Sequence, residues 1–80
     1  MPKLYSSLEI ESVLSKIGFS YISQKGSHKK FKNSSGLICI LPADKKEIPF
    51  GTFRSILKQV NISLDVFKNS NSLAPLKFSF

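Results

Sequence analysis

The sequence predicts a two-layer α+β domain in the order helix, three strands, helix. Two segments with apolar residues at helical spacing stand far apart, Ile10–Ile17 and Phe53–Val60. Between them lie three short runs of strand-forming residues, separated by tight polar turns. Short turns join neighbouring strands as an antiparallel meander. Two amphipathic helices need an apolar surface, and one face of the sheet supplies it. The chain has 80 residues, and a domain this small buries only about 60% of the surface its unfolded chain exposes. It therefore holds one shallow core, and any active site belongs on an open surface.

The first helix is predicted from Ser6 onward. Ser6 and Glu9 stand in capping-box spacing, and Glu9 and Glu11 place negative charge at the positive helix end. Ile10, Val13, Leu14 and Ile17 follow the i, i+3, i+4, i+7 pattern of one helix face. Gly18 ends the helix in the left-handed conformation, with Phe19 folding back on Leu14. Phe19 to Lys25 reads as the first strand, Gly26-Ser27 as a tight turn and His28 to Asn33 as the second strand. After the turn Asn33-Ser34-Ser35-Gly36 comes a short apolar strand, Leu37 to Leu41, closed by Pro42.

Pro42 to Pro49 is a polar connection. The second helix is expected to start near Gly51 or Thr52, with Phe53, Ile56, Leu57 and Val60 on its apolar face and Asn61 at its left-handed end. Ser63 caps one further turn, Leu64 to Phe67. The domain is expected over residues 1–68. Residues 69–80 read as a polar linker and tail, with the alternative of an added edge strand left open.

The net charge is +7 and the isoelectric point about 9.8. A small domain this basic suits an acidic partner: nucleic acid, an anionic membrane or an acidic protein. Lys25, Lys29, Lys30 and Lys32 cluster in mid-chain, followed by Lys45, Lys46, Arg54 and Lys58, which favours a binding face over general solubility. The single cysteine, Cys39, sits in the apolar run Leu37–Leu41 and reads as a small buried hydrophobe. One histidine and one cysteine cannot build a zinc site, so no metal or cofactor is expected. No apolar run approaches the length of a membrane span, and the chain reads as cytoplasmic.

The chemistry concentrates in Gln24-Lys25-Gly26-Ser27-His28-Lys29-Lys30-Phe31-Lys32, which holds the only histidine and no acid. Histidine takes and gives a proton near neutrality, and lysines are point charges that attract phosphate. Gly26 supplies the positive φ that a tight hairpin needs. Phe31 is the one large apolar residue of the second strand, so it faces the helices. His28, Lys30 and Lys32 lie an odd number of residues away and share the opposite, open face. Across proteins in general a lone histidine is more often a structural turn residue, and a lysine row is more often a solvated face.

These residues resemble the HicA (YcfA-like) toxins, the ribonuclease half of bacterial toxin–antitoxin pairs. The similarity is carried by Ile17-Gly18-Phe19, by Gln24-Lys25-Gly26-Ser27-His28 through Phe31, by Leu41-Pro42, and by Gly51-Thr52-Phe53-Arg54-Ser55-Ile56-Leu57-Lys58-Gln59. The resemblance implies a fold like a double-stranded RNA-binding domain, with a three-stranded antiparallel sheet and two helices on one face. It implies cleavage of messenger RNA, with the family's histidine falling on His28, and a HicB-type antitoxin as partner.

Two function classes follow. As an endoribonuclease, the protein would use His28 as general acid or base, and Lys25, Ser27, Lys30 and Lys32 would bind the RNA phosphates. The second proton-transfer group is not identified by the sequence. As a non-catalytic module, the same face would grip duplex RNA by shape and charge. In the third strand both faces are apolar, and the residues alone leave open which one meets the helices. The resemblance places Cys39 and Leu41 inward and leaves Ile38 and Ile40 outward. His28, Lys30, Lys32, Ile38 and Ile40 are then the expected antitoxin contacts.

Overall fold

The computed structural model describes residues 3–71. Its elements are α1 (Ser7–Lys16), β1 (Ser20–Lys25), β2 (His28–Lys32), β3 (Ile38–Pro42), α2 (Phe50–Val60) and α3 (Leu64–Asn71). The sheet is antiparallel in the order β1-β2-β3, and the helices pack against it in an α+β arrangement like that of a double-stranded RNA-binding domain.

Helix α1 begins as its sequence dictates. The Ser6 hydroxyl accepts from the Glu9 amide at 3.1 Å, and the Glu9 carboxylate accepts from the Ser6 amide at 2.9 Å. That backbone bond, aided by the charge of Lys3, holds the Glu9 carboxyl below its ordinary pKa. At the other end Gly18 takes φ 100°. The Phe19 amide donates to the Leu14 carbonyl at 2.8 Å and the Gly18 amide to the Ser15 carbonyl at 3.2 Å. This double closure satisfies carbonyls that the helix end would leave orphaned. Glu11 lies beyond the first turn and serves a different purpose from the expected one: its carboxylate pairs with Lys29 of β2 at 2.8 Å.

The core takes Phe31, Cys39 and Leu41 from the sheet, Ile10, Val13 and Leu14 from α1, and Phe53, Ile56, Leu57 and Val60 from α2. Tyr5, Phe53 and Phe67 form an aromatic group with ring centroids 4.8–5.1 Å apart. Ser7 is a polar residue within this packing, only 1% exposed. Its hydroxyl donates to the Pro42 carbonyl at 2.7 Å and accepts from the Lys45 amide at 2.9 Å. One side chain thus fastens the start of α1 to the connection that leaves β3.

Two expectations are corrected. Helix α2 starts at Phe50 with Pro49 as its N-cap residue, a residue or two before Gly51 or Thr52, because the Pro49 carbonyl already accepts the first helical bond, from the Phe53 amide at 2.9 Å. The segment after Ser63 is a third helix rather than a single turn. It reaches Asn71 and so includes Asn69, Ser70 and Asn71, which the sequence assigned to a linker. Phe67, 2% exposed, anchors it, and the Lys16 ammonium donates to the Ser70 carbonyl at 3.0 Å. The rest of the expected tail, 72–80, lies outside the described residues. Among the described residues no helix is long and apolar enough to cross a membrane.

Candidate active site on the outer face of the sheet

The hairpin between β1 and β2 turns on Gly26 and Ser27, with Lys25 opposite His28. Gly26 has φ 59°, whereas Ser27 is not in the left-handed region. This is the pattern of a two-residue turn with glycine first, whose twist matches that of the strands. The Ser27 carbonyl accepts from the Ala43 amide at 2.7 Å, which ties the turn to the end of β3. His28 therefore stands at the start of a strand held on both sides, opposite Lys25 in β1 and Pro42 in β3.

Alternation along β2 separates its side chains. Phe31 is 4% exposed, while His28, Lys30 and Lys32 are exposed. Lys29 points to the helix side, where the Glu11 hydrogen bond raises its pKa. In β3, Cys39 and Leu41 are fully buried, and Ile38 and Ile40 are each 38% exposed. Burial pushes the Cys39 thiol up to about 11, so it remains protonated at neutral pH and cannot serve as a thiolate nucleophile.

His28, Lys25, Lys30, Ser23 and Ile40 line one open groove of about 310 Å³. A histidine and two ammonium groups thus border a space open to solvent. Lys32 shares the outer face but lies further along β2, opposite Ser20 and Ile38, and does not line this groove. Ser27 is exposed in the turn and also lies outside the lining. The ion pairs among the described residues are Lys3–Glu9 and Lys29–Glu11, so no carboxylate there is paired with the His28 ring. Nor, among the described residues, do three or more His, Cys, Asp or Glu side chains converge as a metal site would require. Asp44 and Glu47 are two exposed residues of the β3–α2 connection.

Ser23 is the groove residue that sequence reasoning missed. In a regular strand Tyr21, Ser23 and Lys25 would share one face. The pairing instead shifts between Tyr21 and Ser23: Tyr21 lies opposite Phe31, and Ser23 opposite Lys30. Ser23 keeps the outer face that alternation from Lys25 gives it, while the bulge turns the Tyr21 ring toward the helix side, 6.0 Å from the Phe31 ring. No glycine marks the bulge, so the sequence carried no local signal for it. The Gln59 side chain was missed as well. Its carbonyl oxygen accepts from the Ile40 amide at 2.9 Å and so holds the free edge of β3 beside the groove.

No relative among curated proteins matches the chain. A family profile does match, that of the HicA toxin of bacterial toxin–antitoxin systems, over residues 8–62. That span runs from the first turn of α1 to the end of α2 and contains the whole sheet with its histidine groove. Since it covers more than half of the 80 residues, the chain belongs to the HicA toxin family and is the toxin of a toxin–antitoxin pair.

Proposed function

We propose that this toxin is an endoribonuclease that cleaves messenger RNA without a metal ion, with His28 as general acid or base. The supporting observation is the groove in which His28 is flanked by Lys25 and Lys30 on an exposed face. RNA carries its own nucleophile, the 2′-hydroxyl. The enzyme has to move protons and stabilise charge on the phosphate, which a histidine and lysines do. Attack of the 2′-oxygen on the adjacent phosphorus expels the 5′-oxygen and leaves a 2′,3′-cyclic phosphate. His28 either takes the proton from the 2′-hydroxyl or gives one to the leaving oxygen. Lys25 and Lys30 hold the phosphate, Lys32 extends the basic track along β2, and Ser27 offers a hydroxyl at the turn. Ser23 is a further hydroxyl within the groove and a candidate for orienting the phosphate.

In this reading the antitoxin is of the HicB type, and it masks the enzyme by covering the outer face. It buries His28, Lys30 and Lys32, with Ile38 and Ile40 at the dry centre of the contact. The protein acts in the cytoplasm, where its messenger RNA substrate is. The test is cleavage of a defined messenger RNA by purified protein across a salt series, with and without EDTA. Phosphate contacts release counterions, so binding should fall by about 10² or more between 50 and 200 mM salt if six or more phosphates are engaged. Cleavage should survive EDTA. Activity lost with EDTA and restored by magnesium would overturn the metal-free mechanism. Binding with no cleavage under any condition would replace the enzyme with a duplex-RNA-binding module.

A further inference from the structure

A second groove lies on the helix side of the molecule and shares no residue with the one around His28. It has a volume of about 260 Å³, and Phe50, Leu57, Ile62 and Leu64 make it apolar. Phe50 is 36% exposed, and Ile62 and Leu64 are only partly buried against the core. Arg54 and Lys58 stand on its rim. A smaller adjoining hollow of about 110 Å³ shares Phe50 and Leu64 and adds Lys3 and Lys68 to the border. No acidic side chain lines either hollow. Arg54, Lys58 and Lys68 form no ion pair among the described residues.

We propose that this groove between α2 and α3 docks an acidic segment of the antitoxin, anchored by a leucine- or phenylalanine-sized side chain and separate from the part that masks His28. At about 260 Å³ the groove is small and open for a drug-sized ligand. It suits one or two inserted side chains instead. The balance of the lining favours a protein segment over RNA: Phe50 and Arg54 could each stack a base, but the rest of the apolar floor, Leu57, Ile62 and Leu64, offers nothing to a phosphate or a base edge. An apolar floor inside a cationic rim is the complement of an amphipathic acidic segment laid into a groove. The consequence is a two-point grip. A tethered second contact multiplies affinity by about 10²–10⁴ with no change at the first, so the antitoxin would stay attached while the His28 face opens. The inference rests on the family's having an antitoxin partner and is independent of the proposed nuclease chemistry.

The test is a titration of the full-length protein, labelled with ¹⁵N, by three probes. The first is a synthetic 12-residue peptide of glutamates carrying two leucines and one phenylalanine. The second is the same peptide with its apolar residues replaced by serine. The third is a 12-nucleotide 2′-O-methyl oligoribonucleotide, which has no free 2′-hydroxyl and cannot be cut. The first peptide should shift amides of residues 50–64. Its affinity should fall about tenfold or more in the Arg54→Glu, Lys58→Glu double variant, and likewise in the serine peptide. The His28→Ala variant should bind it as the parent does, which separates this site from the nuclease reading. The proposal is overturned if the first peptide fails to bind or shifts other residues, or if it binds the double variant as well as the parent. Equal or stronger shifts of residues 50–64 by the oligonucleotide would assign the groove to RNA and overturn it equally.

Discussion

The two faces of β2 and β3 share one backbone and one set of ladder bonds, yet they carry opposite chemistry. On the inner face Phe31, Cys39 and Leu41 are at most 4% exposed. There the requirement is volume, because interiors are close-packed and each missing methylene is felt. On the outer face His28, Lys30 and Lys32 stand in solvent beside the half-open Ile38 and Ile40. There the proposed function asks for charge and shape toward a partner, and the fold asks little of these residues. Under the proposed function, the difference allows stability and activity to be separated by substitutions one residue apart.

The sharpest break comes from the inner face. Phe31→Ala should cost about 3–5 kcal/mol, against a total that is roughly 5–15 kcal/mol for native domains. Thermal melting should show a large loss of transition temperature or no cooperative transition at all. A small loss would mean that the inner face is not the core. Next comes the hidden polar fastening beneath α1. Ser7→Ala leaves the Pro42 carbonyl and the Lys45 amide without their partner, at a cost of roughly 1–3 kcal/mol. Urea denaturation measures it, and Ser7→Cys should not restore what is lost, since a thiol is a weak donor.

The smallest effect on stability belongs to the outer face. Ile38→Lys and Ile40→Lys should change unfolding free energy by no more than about 0.5 kcal/mol. Each should nevertheless weaken antitoxin binding about tenfold or more in calorimetry, because each places an unpaired charge at the proposed dry centre of the contact. A lost melting transition in either would show that the faces of β3 are inverted. Unchanged affinity in both would place the antitoxin elsewhere.

Much of this was legible in the sequence because the local rules and the packing agree. Ser6 with Glu9, Gly18 with Phe19, and Asn61 each settle a helix end through bonds that short-range spacing encodes, and the structure repeats them. The outward direction of His28, Lys30 and Lys32 followed from a single residue, Phe31, because the strand period is two. Other features were closed to sequence reasoning for physical reasons. The β1 bulge has no glycine or proline to announce it. The Lys29–Glu11 pair and the Ser7 fastening join residues 18 and 35 or more positions apart, and only the assembled fold brings them together. Helix α3 lacked a strong signal because Asn69, Ser70 and Asn71 are poor helix formers. It is held by Phe67 packed on Tyr5 and Phe53, a tertiary gain that propensity does not register. In β3, where both faces are apolar, residue type alone could not choose, and the burial of Cys39 and Leu41 did.

Under the proposed function the outer face carries the activity while the fold does not depend on it. This is tested most directly by His28→Ala, scored in one preparation for messenger RNA cleavage and for thermal unfolding. The expected result is an unfolding free energy within about 0.5 kcal/mol of the parent and a cleavage rate lower by about 10² or more, with growth arrest lost on expression in cells. A variant that melts like the parent and still cuts RNA at the parent's rate would contradict it.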